Sequence, residues 1–400
     1  MLDLSRCRFF RTTHMPKITI RTVCVNEVES FAEETLRTQP DLGGTVPISR
    51  FRARAWAHNP RSRPDDVALL AAFDGTRCVG HLGMYPDIVD FGTRRDRFFW
   101  LSIYYVQPDY RESGAGPMLL LRAIAINQHL GVTGVTPAAA KIYRALRFFE
   151  PPPVRFWRLS INHFDFAGVP LRLVRRLLSC FRYESRLLDR TIAFTQSAAR
   201  FYTYGAIALI RRAAITRLRT LPLDRIRDDL LTIPRGSLQS PRLLRDAEFL
   251  NWNREYPWVS ANIQERSAGN YFPDYLDSFR TEMVQLFDRD SERPIGTLVL
   301  RRTFDSRNTV LRVLAYGVPD IRDAPRVLTS VLASACRLRP DAIEIPDGFC
   351  KQLAPFSLLR MLFRPAEHRY FFYVRPGDVE AAEAVRSLRL RFLDGDVAFT

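Results

Sequence analysis

The chain has 400 residues, 46% hydrophobic and 26% charged, with a formal net charge of +16. This is the make-up of folded material with about two domains, and it excludes a disordered chain; no apolar run reaches the ~20 residues a spanning helix needs. The cysteines (Cys7, Cys24, Cys78, Cys180, Cys336, Cys350) are scattered without C-x-x-C pairs, which argues against a disulfide framework and against a metal site.

Nearly all the positive charge is arginine, with lysine only at Lys17, Lys141 and Lys351. Such a surface suits nucleic acid, an anionic membrane or an anionic small substrate. No helix-turn-helix, zinc-finger or RRM signature accompanies it, so nucleic acid is the weakest of the three. Residues 1–16 read as an extension without signal-peptide layout, and the expected location is the cytoplasm. Ile18 to Arg21 alternates as a strand, and Asn26 is placed to cap a helix through Leu36. Phe51 to Pro60 reads as a short helix or turn. Val67 to Phe73 is a strand, and Asp74-Gly75 turns it into a partner strand from Arg77 to Tyr85. A further strand is expected near Ile88 to Phe91, and an aromatic one over Phe98 to Val106. A helix follows from Pro117, then a strand at Val132 to Val135, a helix from Ala138 to Leu146, and a strand from Val154 to Ser160. The whole predicts an α+β domain over 17–165.

Residues 166–236 read as a basic helical connector. Leu171 to Leu221 is rich in Leu, Ile, Ala and Arg, and its 171–219 stretch is a candidate for peripheral membrane contact as well as for a helical bridge. Residues 237–376 repeat the first region in outline. A helix over Leu243 to Trp252 leads to strands at 283–287, 295–300 and 309–316. A helix at 325–338, a strand at 342–345, a helix near 351–363 and a strand at 370–374 follow. Ile295-Gly296 echoes Val79-Gly80, and Val318-Pro319-Asp320-Ile321-Arg322 echoes Val106-Gln107-Pro108-Asp109-Tyr110-Arg111. Both echoes are offset by roughly 210–220 residues, which suggests a duplicated fold. Residues 377–400 read as a tail.

The chemistry concentrates at Arg111-Glu112-Ser113-Gly114-Ala115-Gly116, between the aromatic strand and an apolar helix. A glycine loop at a helix N-terminus presents backbone N–H groups where the dipole favours an anion. The second copy has Arg322-Asp323-Ala324-Pro325 at this place, without glycine, and is expected to have lost that capacity.

The Val-x-Pro-x-Tyr-Arg-x-x-Gly-x-Gly block at 106–116, the preceding meander with Val79-Gly80, and Ala139-Ala140-Lys141-Ile142-Tyr143-Arg144-Ala145-Leu146 resemble the GCN5-related N-acetyltransferase (GNAT) superfamily. Trp56-Ala57-His58-Asn59-Pro60, Gly80-His81-Leu82-Gly83 and Phe249-Leu250-Asn251-Trp252 are similar to a bacterial two-domain subgroup often met in envelope contexts. The resemblance covers residues 17–160, and more loosely 237–376. It implies two acyl-CoA N-acyltransferase folds in tandem, joined by the helical connector, with acetyl-CoA as co-substrate and no metal. It implies that the backbone of Tyr104, Tyr105 and Val106 holds the pantetheine arm. The amides of Glu112, Ser113, Gly114, Ala115 and Gly116 would cradle the pyrophosphate, with Arg111 shaping the loop. Tyr143 falls where the family places the acid that protonates the departing thiolate. Four and five positions on, Arg147-Phe148 stands where the family has Gly-Phe. The general base is not visible; His81 is the first candidate, with Asp87, Asp96 and Glu150 behind it. The acceptor implied is an amine, of a small molecule, an amino sugar or another surface-polysaccharide precursor. Aminoacyl transfer to an envelope precursor and a non-catalytic acyl-CoA-binding role are the alternatives.

Overall fold

The computed structural model describes residues 17–90, 94–127, 129–160, 218–230, 241–266, 269–272, 274–304, 308–338, 340–352, 363–388, 390 and 394–395. In the first half, β1 (Ile18–Cys24), β2 (Val67–Asp74), β3 (Arg77–Asp90) and β4 (Arg95–Val106) run as an antiparallel meander. β5 (His129–Thr133) lies parallel to β4. The β2 sequence is apolar almost throughout because both its faces are covered. Leu70 and Ala72 point to α3 (Ala115–Ile126) and α4 (Pro137–Ala145), while Leu69 and Ala71 point to α1 (Val28–Thr38) and α2 (Arg50–Ala57).

A second sheet is built from β7 (Leu218–Pro222), β9 (Ser278–Asp288), β10 (Pro294–Phe304), β11 (Thr309–Gly317) and β12 (Ala342–Pro346). Its path repeats that of the first: an antiparallel series, then β12 parallel to β11. α6 (Ala324–Leu338) covers one face through Val327, Leu328, Val331, Leu332 and Ala335. α5 (Ala247–Glu255), α7 (Asp347–Gln352) and α8 (Val379–Arg386) complete the helices among the described residues.

The two sheets exchange strands. β6 (Val154–Ser160) follows α4 in the chain, yet it pairs with β12 of the second sheet. β14 (Tyr370–Val374) follows the second series and pairs with β5 of the first. β13 (Arg364–His368) pairs with β6, and β8 (Arg242–Leu243) with the far end of β3. The strand expected to end the first domain therefore belongs to the other sheet. Its alternation of Phe156 and Leu159 faces two cores, which no local pattern distinguishes from a strand at home.

Other expectations are corrected. Asn26 lies inside a 3-10 turn, Val25–Glu27, and α1 begins at Val28. The two strands expected at 77–85 and 88–91 are one, β3, despite Pro86. The β2 ladder ends at the Leu69–Gly83 pair, so Pro86 lies where no β2 carbonyl awaits the N–H that proline lacks. Leu218 and Arg219, read as the end of a basic helix, begin strand β7 paired on β9, a case of tertiary pairing overriding local pattern. The remainder of that reading, 166–217, lies outside the described residues, as do 231–240 and, of the helix expected near 351–363, residues 353–362. The expected tail contains α8, and its Asp394 is fully buried.

Candidate active site

β4 and β5 stay paired only from Phe99 to Leu101, against Leu130 to Val132. Beyond that they part. At the parting point β4 carries a bulge between the Gly83–Ser102 and His81–Tyr105 pairs, and Ile103 takes φ +49° there. A β-branched residue at positive φ is strained. Ile103 is held by burial and lies near Trp56 over Gly83, where any Cβ would reach 2.2 Å from the Trp56 ring. The bulge turns Tyr104–Val106 out of the ladder with β5 while β3 still pairs with Tyr105 and Val106. One edge of this backbone is thereby left facing the gap.

The loop closes the same end. A 3-10 turn, Pro108–Tyr110, leads into Arg111, and α3 begins at Ala115. Gly114 caps the helix at φ +84°, a left-handed conformation that glycine adopts without steric cost. The amides of Arg111, Ser113 and Met118 donate to Pro108, Tyr110 and Gly114, and that of Ala115 to the Ser113 hydroxyl. The amides of Glu112, Gly114 and Gly116 have no acceptor among the described residues. Three unspent donors at a helix start are an arrangement suited to an anion. A Cβ at Gly116 would stand 2.5 Å from the Tyr104 hydroxyl, so glycine there lets Tyr104 lie against the loop. Burial pushes the Tyr104 phenol up. Tyr105 is pushed up by burial and by Tyr271, with exposed Arg111 pulling the other way.

Tyr143 is nearly inaccessible, its ring 5.0 Å from Phe148 and 6.1 Å from Phe371 of β14. Phe148 packs here, and the turn before it holds Arg147 at φ +65°.

His81 lies on the opposite face, fully buried, with neither ring nitrogen hydrogen-bonded. Burial, and then the charge of Arg52, push its pKa down to about 3, so it is a neutral imidazole. Its ring stands 5.7 Å from Tyr105 and 6.1 Å from Phe272. The other base candidates are engaged elsewhere. Asp87 accepts from Trp100 Nε1 at 2.9 Å and from Arg245 at 3.0 and 2.8 Å. Glu150 pairs with Arg144, and Asp96 with Arg94 on the opposite end of β4.

Parts of the second half complete this face, and the sequence reading missed them. Trp258 packs on Trp56 and Tyr85, and the Arg52 guanidinium lies 4.8 Å over it. Val46 pairs with Asn270. Tyr271 stacks on Tyr105 at 4.2 Å and 22°. Arg245 joins Asp87 to Asp394 of the C-terminal stretch, at 2.9 Å. Gly395 packs beside Thr133 and Trp100, next to the point where β4 and β5 part. The aromatic density at 256–272 was the one signal on offer, and nothing local links it to residue 105.

The second sheet repeats the geometry with different chemistry. β11 and β12 pair only from Val310 to Arg312, and a bulge falls after Val313. α6 begins just after Asp323, whose buried carboxylate pairs with Arg293 at 2.7 Å and Arg326 at 3.5 Å. A protein carboxylate thus already occupies that helix start. Among the described residues no group of His, Cys, Asp and Glu is arranged for a metal, and no helix is long and apolar enough to cross a membrane.

Residues 29–150 match the model of the Acetyltransferase (GNAT) family. The match spans β2–β5, the glycine loop, α3 and α4. No curated protein matches the chain. Among solved structures, a GCN5-related N-acetyltransferase from Anabaena variabilis is similar at 11% identity, over 89% of this chain and 72% of that one, with a TM-score of 0.45. Eis1 from Mycobacterium abscessus is similar at 13% identity over 92% and 76%, TM-score 0.43. Saccharomyces cerevisiae N-myristoyltransferase with bound myristoyl-CoA is similar at 9% identity over 89% and 82%, TM-score 0.42.

Proposed function

We propose that the protein is an acyl-CoA-dependent N-acyltransferase, moving acetyl from acetyl-CoA to an amine in a direct ternary complex. The observation that carries this reading is the set of free amides at Glu112, Gly114 and Gly116 beside the gap between β4 and β5. The amides fit a pyrophosphate, and the gap fits an extended arm whose own amides need partners along the Tyr104–Val106 edge. In this reading a neutral amine attacks the thioester carbonyl, backbone donors of β4 stabilise the oxyanion, the C–S bond breaks to release CoA thiolate, and the proton shed by the amine nitrogen passes to water, from which Tyr143 is restored after each turnover. Tyr143 protonates the leaving thiolate, and His81 stands on the acceptor side as a neutral hydrogen-bonding group. The two sheets are a tandem pair of one fold, the first holding the cofactor and the second shaping the acceptor face; their common strand path and reciprocal exchange of β6 and β14 support this. The acceptor is a small or glycan amine, with an amino sugar as the leading candidate, and the enzyme works in the cytoplasm.

The test is release of free CoA thiol from acetyl-CoA, with and without a panel of amines, beside calorimetric titration of CoA. Amine-dependent thiol release establishes transfer. CoA binding without release under any amine would favour the acyl-CoA-binding alternative, which the engaged state of Asp87 and Glu150 also fits. No CoA binding would sink both.

A further inference from the structure

The cradle and the gap account for the acyl donor, but not for a group of rings on the other side of β4. Tyr105 is the last-but-one residue of β4, next to the backbone that the proposed reaction uses. Its ring stacks on Tyr271, centroids 4.2 Å apart at 22°. Tyr271 is 61% exposed, so one of its faces is spent on Tyr105 and much of the ring remains open to solvent. Phe272 meets Tyr271 edge-on at 5.2 Å and 86°. Beneath them lies His81, fully buried, with both ring nitrogens unpartnered.

Each feature has an ordinary explanation alone. A surface tyrosine is common, and an aromatic pair stabilises a fold. Together they are harder to assign to stability. Folding would gain most by covering the second face of Tyr271, as it covers both faces of Trp56 and Trp258. A buried imidazole without partners leaves a donor and an acceptor unsatisfied, which folding alone does not favour. The platform also comes from both halves of the chain, so its position beside Tyr105 depends on the assembled fold.

We infer that Tyr271, stacked on Tyr105 above His81, is an acceptor subsite that selects an amine carried on a flat-faced ring over one on an open chain. The inference rests on the acyltransferase reading and names the acceptor class for it. A pyranose ring of an amino sugar and an aryl ring share the needed chemistry, a broad face of C–H or π character. Tyr271 is a specificity-determining residue here and takes no part in acyl transfer.

The experiment uses the full-length protein with acetyl-CoA and two matched pairs of acceptors. Glucosamine is set against its open-chain alditol glucosaminitol, which keeps the amine on the same carbon, and phenethylamine against hexylamine. The cyclic member of at least one pair is expected to have the higher kcat/KM, by about 5- to 10-fold for one good stacking contact. The pair that shows the preference tells sugar from aryl. Tyr271→Ala should remove the preference through KM while the KM for acetyl-CoA and the turnover of the open-chain amines hold. Tyr271→Phe should keep it. Equal use of cyclic and open-chain amines, or an equal fall for both in Tyr271→Ala, overturns the inference. Should no amine be turned over, calorimetric binding of the same amines to the CoA complex reads the subsite directly. Ring-selective binding lost in Tyr271→Ala supports it, and absence of such binding overturns it. CoA affinity, measured alongside, reports separately on the acyl-CoA reading.

Discussion

Placing a negative charge at Gly114 tests the cradle where it is most exposed to refutation. Gly114 has φ +84°, and a Cβ added there meets nothing within 4 Å. A side chain at this position therefore points into open space at the mouth of the loop. Asp and Asn are the residues that best tolerate the left-handed region after glycine, so Gly114→Asp should fold at a cost of about 1 kcal/mol. That corresponds to a fall of a few degrees in Tm. The new carboxylate would stand within about 4–6 Å of an anion on the amides of Gly114 and Gly116. Two unit charges at such a distance near a protein surface repel by ~2–4 kcal/mol, reduced somewhat by salt. CoA affinity should fall about 30- to 700-fold. Gly114→Asn carries the same shape and strain without the charge, and should bind within a few-fold of wild type. Isothermal titration with CoA, at low and high salt, is the assay. If the Asp and Asn variants both bind like wild type, no pyrophosphate lies on these amides. If both fall alike, backbone strain and not charge governs the loop.

Three further outcomes follow from the fold. Arg245→Met strands Asp87 and Asp394 in the interior, where breaking a buried pair costs ~3–5 kcal/mol; chemical denaturation should show that loss, and adding Asp394→Asn should recover part of it. The fragment 17–165 lacks β14 and keeps β6 without its partner β12, so circular dichroism and proteolysis should find it unstable alone; a cooperative melt like that of the whole chain would contradict the strand exchange. His81 has its pKa pushed down to about 3, from an ordinary 6.5, so the unfolded chain binds this proton first. Stability from His81 is full above about pH 6.5 and falls as pH drops toward 3, by ~1.4 kcal/mol per unit. His81→Leu should flatten the acid limb of a Tm-against-pH curve by one proton; an unchanged limb would mean that His81 titrates normally.

Legibility in the sequence followed the range of the forces involved. The Asp74-Gly75 turn, the β2 run and the loop from Arg111 to Gly116 are set by neighbours within a few residues, and they stand where periodicity and glycine placed them. The donors at Glu112, Gly114 and Gly116 belong to this class. What pattern could not reach were choices between partners far apart in the chain. Val154 to Ser160 reads as a strand in any sheet; only the pairing of Trp157 with Ile345 decides which one. Pro86 is a strand breaker until the β2 ladder is seen to end at Gly83. Asp87 is a base candidate by residue type alone, whereas Arg245, 158 residues on, commits it to an ion pair. The partnership of Tyr105 with Tyr271 is likewise a contact between halves, with no local signature.

The two helix starts, compared directly, differ in what meets the helix dipole, and on the proposed reading this separates a strand path that takes a ligand from one that does not. Both sheets part their parallel strands after three pairs, and both carry a bulge there. A helix dipole then points at the gap in each case. At α3 the positive end meets open amides and Gly114. At α6 it meets Asp323, whose carboxylate is also held by Arg293 and Arg326. An external phosphate arriving at α6 would have to displace a buried carboxylate from two arginines and pass Pro325, which offers no amide. The carboxylate needs no diffusible partner, so it stands by the start of α6 at all ligand concentrations, whereas α3 would gain an anion only by binding one. Losing the second cradle therefore costs the fold nothing. Losing the second half of the chain would cost the first sheet β14, and with that strand the Phe371 and Phe372 rings that pack against Tyr143 and Trp100. That asymmetry accounts for a second half that has its own closed helix start and still contributes Trp258, Tyr271 and Phe272 to the face of the first.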